Sequence, residues 1–301
     1  MLLTSNTNTR PTSASLARAS VDSLVTAIES GHNEVFSSYL ETMARFHTYS
    51  ARNVLLIAAQ CPNATHLEGV RSWNELGRFV RPGEKGVFIF APAVGFTKKA
   101  QKSEENGNGK KNGKNKKPAE TVQNPPEQVA HLLGFRGVWV FDISQTGGEE
   151  QPESRISFDP ADGLQTLLDY AQLRQLRIEY TEKIAPAKGT SYRGLIRLVP
   201  GMEPAEAFPV LLREVASQLL YETSRRTFVT RALHQQETQA AAFVVCEALG
   251  LDAKSAFADC QLYYGDARLL TESLEVVHRT AAQILGALSP KDAAQSNQAV
   301  Q

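Results

Sequence analysis

The stretch FHTYSARNVLLIAAQCPNATHLEGVRSWNELGRFVRPGEKGVFIFAPAV, residues 46–94, contains both kinds of secondary structure that decide the fold. In its first part Ser50 occupies a helix-capping position before the apolar run at residues 54–57, which predicts a largely buried helix. Further on, residues 81–86 are typical of a tight turn, and residues 87–91 form an apolar strand ending at a proline. Helix, turn and strand in one segment indicate an α+β domain.

A second apolar strand is predicted at residues 137–143 (GVWVFDI), whose β-branched and aromatic residues suit pairing with the first strand. Upstream, apolar residues between positions 15 and 60 recur mostly at three- and four-residue steps, which predicts three helices. The segment between the two strands, residues 97–128, is rich in lysine, glycine and asparagine and is predicted to be a disordered insertion. It is either a solvated loop or an auxiliary segment that gathers nucleic acid.

The chain is predicted to contain two α+β domains, since 301 residues suffice for two cores of ordinary size. A polar linker at residues 146–160 separates a helical and β-hairpin domain at 15–145 from a second domain at 161–289. The pattern of the second domain predicts one helix, three short strands and three further helices. Residues 1–14 and 290–301 are predicted to be disordered tails.

Composition argues against several classes of protein. No run of apolar residues is long enough to cross a membrane, and the first residues lack the apolar core of a secretory signal. We therefore predict a cytoplasmic protein with no membrane partner. The three cysteines show no C-x-x-C spacing, which argues against a disulfide framework and against a cysteine-based zinc site.

The net charge of the whole chain is zero, but its charge is unevenly distributed, with eight basic and three acidic residues between positions 42 and 99. Such a cluster favours a polyanionic partner, because each neutralised phosphate releases condensed counterions. Binding of single strands also needs aromatic faces for the bases, and these lie in the same segment. The candidate nucleic-acid-binding residues are Arg45, His47, Tyr49, Ser50, Asn53, Arg71, Trp73, Arg78, Arg81 and Lys85.

Three of these candidates have a structural alternative. Trp73 is either a base-stacking platform or an anchor of the core. Tyr49 and Asn53 either contact nucleic acid or pack and cap the helix that begins beside them. The arginines are harder to explain in structural terms, because five of them between positions 45 and 81 exceed what solubility demands.

Several separated motifs in this half resemble, in order, the N-terminal domain of ArdC-type antirestriction proteins. They are Tyr49-Ser50, Asn53, the apolar residues 55–57, Trp73 with residues 76–78, the turn at 82–86, residues 90–92 and the closing segment at 140–146. The resemblance implies a single-stranded-DNA-binding domain from a family often carried by plasmids and other mobile elements. It runs from about residue 15 to residue 288 and is interrupted by the lysine-rich insertion.

The second half resembles the zincin-like metallopeptidase domain of the same family, without its histidines. The family carries H-E-x-x-H on a helix, which directs two imidazoles at one zinc ion and leaves the glutamate as general base. The corresponding residues 213–217 read R-E-V-A-S, so that Arg213 and Ser217 replace the histidines. Arginine has no lone pair to offer a metal, and serine is a poor zinc ligand. Glu214 at the base position and Glu237 at the position of a third ligand remain as vestiges.

We therefore predict no metal, no cofactor and no peptidase activity, because no Lewis acid is left to lower the pKa of an attacking water. Arg213 is expected to form an ion pair, either with its neighbour Glu214 or, as the preferred hypothesis, with Glu237 across the helix pair. A third arrangement would use His234 as a new metal ligand.

The sequence favours a non-enzymatic protein that binds single-stranded DNA and protects or handles incoming DNA. The alternative is a regulatory module, built on an inactive peptidase fold, whose C-terminal half binds a protein partner without cleaving it. An active zinc metallopeptidase is the third hypothesis, and the missing imidazoles argue against it.

Overall fold

The computed structural model describes residues 12–30, 32–98, 128–150, 158–221, 229–253 and 267–289. Helices and strands are mixed along these ranges, as the sequence predicts. The helices are α1 (Ser13–Glu29), α2 (Asn33–Arg45), α3 (Ala51–Gln60), α4 (Val70–Glu75), α5 (Pro160–Leu173), α6 (Pro204–Tyr221), α7 (Arg231–Ala248) and α8 (Ala267–Leu288). The strands are β1 (Leu67–Glu68), β2 (Arg78–Val80), β3 (Val87–Lys98), β4 (Gln128–Asp142), β5 (Thr146–Gly148), β6 (Arg177–Tyr180), β7 (Gly189–Tyr192) and β8 (Leu195–Leu198).

The first three helices pack against one another, and α1 and α3 begin at polar side-chain caps. The side chain of Thr12 accepts a hydrogen bond from the backbone N–H of Ser15 at the start of α1. Ser50 does the same for the N–H of Asn53 at the start of α3, which confirms the predicted cap. The apolar run of α3 that follows is buried, with Val54 and Ile57 fully inaccessible to solvent.

A three-stranded sheet has the order β1-β4-β3. Strand β1 runs antiparallel to β4, with Leu67 opposite Asp142. The predicted end of β3 at Pro92 is wrong, because the strand continues to Lys98. Proline is tolerated there since β3 is an edge strand and its missing N–H breaks no central ladder. Strand β4 likewise begins at Gln128, so the predicted insertion is shorter at both ends, and its residues 99–127 lie outside the described residues.

A second, two-stranded sheet pairs β2 with β5 in antiparallel register, with Arg78 opposite Gly148. Helix α4 precedes β2, and a tight turn follows it. A 3₁₀ turn at Ile143–Gln145 joins β4 to β5. Helix α4 begins at Val70, so that Trp73 lies inside it.

The C-terminal part contains a three-stranded sheet of order β6-β8-β7. Strand β6 is parallel to β8, and β7 is antiparallel to β8, with Gly189 opposite Leu198. Helix α6 packs against α5, β7 and α7, and α7 in turn packs against α8. The elements therefore follow the predicted order of one helix, three short strands and three helices.

The compact units differ from the predicted domains. One unit contains the described residues up to Ile89 and from Val138 onward, and the outer parts of β3 and β4 form the other. Leu133 and Phe135, on the outer part of β4, are exposed. Within the first unit α2 packs against α7, and α8 packs against α1 and α3. Buried residues of both predicted domains belong to one apolar cluster. The linker at 146–160 stays a prediction about the organisation of the sequence. The apolar core is continuous across it.

The predicted tails, residues 1–14 and 290–301, lie almost entirely outside the described residues. In the ranges that are described, none of the helices combines the length and the apolar character that a membrane span requires.

Candidate nucleic-acid interface

Trp73 is fully buried, so its ring is not available to a base. Its indole N–H donates a hydrogen bond of 2.9 Å to the carbonyl oxygen of Phe141 on β4. The imidazole of His66 lies against the ring, with the two centroids 5.1 Å apart. Of the two roles that the sequence leaves open for Trp73, the structure therefore shows the core anchor and corrects the stacking prediction.

The candidates around the start of α3 are held by local contacts. The half-buried phenol of Tyr49 donates a 3.3 Å hydrogen bond to the carbonyl of Leu67, and burial raises its pKa. The Ser50 hydroxyl caps the helix, and Asn53 is buried. Nδ1 of His47 is hydrogen bonded to the carbonyl oxygen of Ala44 at 3.0 Å. The packing and capping roles are thus present for Tyr49 and Ser50.

Three of the candidate arginines bind backbone carbonyl groups. Nη2 of Arg45 donates a 2.8 Å hydrogen bond to the carbonyl of Pro62. Nε of Arg78 donates a 2.8 Å hydrogen bond to the hydroxyl of Thr146, and Nη1 of Arg81 donates one of 3.0 Å to the carbonyl of the same residue. The guanidinium groups of Arg78 and Arg81 thereby join β2 and the turn that follows it to β5. A carbonyl oxygen carries no net charge, so these hydrogen bonds do not neutralise the guanidinium groups.

The turn at residues 81–86 is fixed to the end of β4. The side chain of Gln145 donates to the carbonyl of Lys85 at 2.8 Å and accepts from the N–H of Asp142 at 2.9 Å. Glu84 forms an ion pair of 2.9 Å with Arg81, whose hydrogen bond lowers the pKa of the Glu84 carboxyl. The exposed Lys85 follows Glu84, so the turn presents a net positive surface.

Asp142 organises the same region through its carboxylate. One oxygen accepts hydrogen bonds from the backbone N–H groups of Thr65 at 2.7 Å and His66 at 3.0 Å, and the other accepts from Ser144 at 2.9 Å. Burial acts to raise the pKa of Asp142, but these hydrogen bonds outweigh burial and lower it overall. The charged carboxylate therefore joins β1, β4 and the 3₁₀ turn.

Arg71 lies apart from this network. Its side chain is 93% exposed and pairs with Glu75 one helical turn later, at 3.0 Å. An exposed pair of this kind contributes little to stability, so Arg71 is held loosely at the surface.

Two exposed aromatic residues near the turn are absent from the sequence-based set of candidates. Trp139 on β4 is 60% exposed, and Phe79 on β2 is 57% exposed. The signal that could have found Trp139 is the alternation in GVWVFDI, which places Trp139 and its neighbour Val140 on opposite faces of the strand. Val140 is buried, so Trp139 points away from the core.

The positions of the two missing histidines lie on the C-terminal half of α6. Arg213 forms an ion pair with its neighbour Glu214, with Nη2 and Oε1 2.9 Å apart. Glu237 on α7 instead accepts a hydrogen bond of 2.6 Å from the hydroxyl of Ser273 on α8. The preferred hypothesis of an Arg213–Glu237 cross-link is therefore wrong, and the alternative ion pair is the one observed.

Ser217, at the second histidine position, is hydrogen bonded to Nε2 of His234 at 3.1 Å. Burial lowers the pKa of the His234 imidazole, which favours its neutral form. Helices α6 and α7 are thus joined by a neutral polar contact at the residue that the sequence resemblance aligns with the second histidine of H-E-x-x-H.

The side chains present do not fit a zinc ion. Arginine cannot ligate a metal at all, and the Arg213 guanidinium already occupies the carboxylate of Glu214. Within the described ranges, no group of three or more His, Cys, Asp or Glu side chains is arranged to hold a metal ion.

Comparison with known families places this chain in a class. Residues 15–124 match the model for the N-terminal domain of anti-restriction factor ArdC. Over that part of the chain this is an ArdC-like protein, which confirms the resemblance indicated by the sequence motifs.

Two solved structures are similar over most of their length. The metal-free crystal structure of the antirestriction ArdC protein from the R388 plasmid is 17% identical, with 94% of this chain and 98% of that chain covered and a TM-score of 0.48. The Mn(II)-bound structure of the same protein is also 17% identical, with 92% and 99% covered and a TM-score of 0.49. No curated protein sequence matches the chain.

Proposed function

We propose that this chain is a non-catalytic protein of antirestriction type that binds single-stranded DNA through its N-terminal half. It protects or handles incoming DNA by covering it, and its C-terminal half does not hydrolyse peptides. The match of residues 15–124 to the ArdC N-terminal family supports the antirestriction part of the proposal.

The observation that carries the proposal is the fixed basic turn. Arg81 and Lys85 are exposed, and the backbone between them is fastened to β4 and β5 by the hydrogen bonds of Gln145 and of the Arg81 guanidinium. A cation on a fixed backbone binds phosphate with a smaller loss of conformational freedom than a cation on a mobile loop. The neighbouring Arg78 adds a third positive charge, while Glu84 offsets one of them.

The proposed lack of catalysis rests on the donor set at residues 213–217. Hydrolysis by a zincin requires a metal-bound water whose pKa is lowered, and the protein must supply imidazoles to hold the metal. Arg213 and Ser217 cannot do so, and Glu214 is engaged in an ion pair that leaves it unsuited to act as general base.

Salt-dependent binding of a fluorescent oligonucleotide tests the DNA-binding part. We expect the full chain to prefer a single strand over the matching duplex and to lose affinity steeply as salt rises. Lys85→Ala should reduce the slope of log K against log salt by about 0.7, the value for one phosphate contact on a single strand. Lys183→Ala is the matched control, since Lys183 is an exposed lysine after β6 and its loss should leave the slope unchanged.

Lack of binding at low salt would contradict the proposed function and favour the regulatory, protein-binding alternative. Equal binding of single strand and duplex would contradict the preference for unpaired DNA.

Metal analysis of the purified full chain tests the proposed lack of catalysis. After equilibration with zinc and gel filtration, we expect substoichiometric metal and no cleavage of an unstructured protein substrate such as casein. Stoichiometric zinc together with cleavage that a chelator abolishes would overturn this part of the proposal.

A further inference from the structure

Phe88 and Trp139 form an aromatic pair on the outer face of the small N-terminal sheet. Their ring centroids lie 5.3 Å apart in an edge-to-face arrangement of 71°. Their neighbours along the strands, Val87, Ile89 and Val140, are buried. Because side chains alternate across a strand, the two rings lie on the face opposite the core.

Trp139 is the exposed member of this pair, whereas Phe88 is half-buried. Trp139 leaves 60% of its surface in contact with solvent, although an indole gains more from burial than almost any other side chain. Contiguous exposed apolar surface rimmed by polar residues marks binding sites, and here two adjacent rings lie beside a basic turn.

The basic turn ends directly against this pair. A Cβ placed on Gly86 would lie 3.3 Å from Cβ of Trp139 and 3.1 Å from Cζ of Phe141. A side chain at residue 86 would require its neighbours on β4 to shift by a few tenths of an ångström, so the turn lies in close contact with that strand. Lys85 immediately precedes Gly86, and consecutive Cα atoms are about 3.8 Å apart, so its ammonium group lies within side-chain reach of the indole.

The strand that carries Phe88 is fixed before any ligand binds. The side chain of Gln60, at the end of α3, accepts a 2.9 Å hydrogen bond from the N–H of Phe88 and donates one of 3.0 Å to its carbonyl. The amide of Gln60 thus takes the place of a neighbouring strand at this point. A ring held on a fixed backbone loses little conformational entropy when a ligand stacks on it.

We propose that Trp139, supported by Phe88, is a platform on which an unpaired nucleobase stacks, and that Lys85 binds the adjacent phosphate. This inference rests on the proposed function and names the surface that performs it. A flat exposed indole beside a cation matches an alternating base and phosphate. Duplex DNA hides the faces of its bases, so the platform selects single strands without reading their sequence.

Binding of a labelled oligothymidine to Trp139→Ala tests the platform. We expect affinity about tenfold weaker than that of the unsubstituted chain, since one base–aromatic stack supplies a factor of that order. Trp139→Phe should restore most of the affinity because it keeps an aromatic face. Tyr180→Ala is the matched control, since Tyr180 on β6 is also 60% exposed and should change affinity less than twofold.

An abasic strand of the same length separates stacking from charge. The unsubstituted chain should bind it about tenfold more weakly than oligothymidine, whereas Trp139→Ala should bind the two strands nearly equally. Circular dichroism checks that each variant is folded. Unchanged affinity of folded Trp139→Ala would overturn the platform and leave the proposed function standing. Failure of the unsubstituted chain to bind any single strand would overturn both.

Discussion

Asp142 provides a test at the scale of one residue. Its carboxylate accepts hydrogen bonds from three backbone N–H groups, and these lower its pKa below the ordinary value of 3.8. A carboxyl group whose pKa is lower in the folded than in the unfolded protein stabilises the fold at pH values above its unfolded-state pKa. That stabilisation is lost as the pH falls through the folded pKa.

Asp142→Asn should therefore lower the free energy of unfolding by about 2 kcal/mol near neutral pH, the usual contribution of hydrogen bonds to a charged group. The difference between the two proteins should shrink below pH 3.8, where the unfolded carboxyl becomes protonated. Urea unfolding over a range of pH measures it. A difference that is constant down to the most acidic stable condition would contradict the role given to the charge.

At the same scale, the sequence predicts contacts that are local and misses those that are distant. Ser50 could be assigned as a cap because its partner is three residues away. The bond from Arg78 to Thr146 spans 68 positions, so no local pattern announces it. The alternation around Trp139 separates two faces, but the face turned to the core is set by packing. For the same reason the sequence left two roles open for Trp73, which packing buries, and did not select Trp139, which is exposed.

At the scale of elements, α6, α7 and α8 are joined by polar contacts between side chains. The Ser217–His234 hydrogen bond links α6 to α7, and the Glu237–Ser273 hydrogen bond links α7 to α8. The helices were predictable from apolar periodicity alone. The side-chain partners were not, because each lies on a different helix.

Arg213→His and Ser217→His together should recreate a zinc site. The double variant would carry two imidazoles four residues apart on one face of α6, and the sequence resemblance offers Glu237 on α7 as the third ligand. We expect about one zinc per chain, measured by metal analysis, and a higher melting temperature in the presence of zinc. Arg213→His alone is the control and should bind zinc weakly. A folded double variant without zinc would show that the helices are not placed as in a zincin.

At the scale of the whole molecule, the two predicted domains share one core. Helix α2 packs against α7, and α8 packs against α1 and α3, so the apolar cluster runs continuously from Val21 to Leu285. A fragment ending near residue 150 would expose the faces of α1, α2 and α3 that these helices cover. DNA binding should accordingly be measured on the full chain.

The shared core predicts cooperative unfolding. Both tryptophans, Trp73 and Trp139, lie in the N-terminal half, whereas helices of both halves contribute to the far-ultraviolet circular dichroism. Tryptophan fluorescence and circular dichroism should therefore report one coincident transition in urea. Two well-separated transitions would show that the two halves unfold independently.

The measurement that tests the central claim most directly is photochemical cross-linking of the full chain to a single strand containing 5-iodouracil. Light attaches this base to an aromatic side chain that stacks on it, and the modified peptide is identified by mass spectrometry. We predict attachment at Trp139 or Phe88, reduced by an excess of unlabelled single strand and unaffected by duplex. Attachment confined to residues 158–289, or no attachment at low salt, would contradict the claim that the N-terminal sheet and its basic turn bind unpaired DNA.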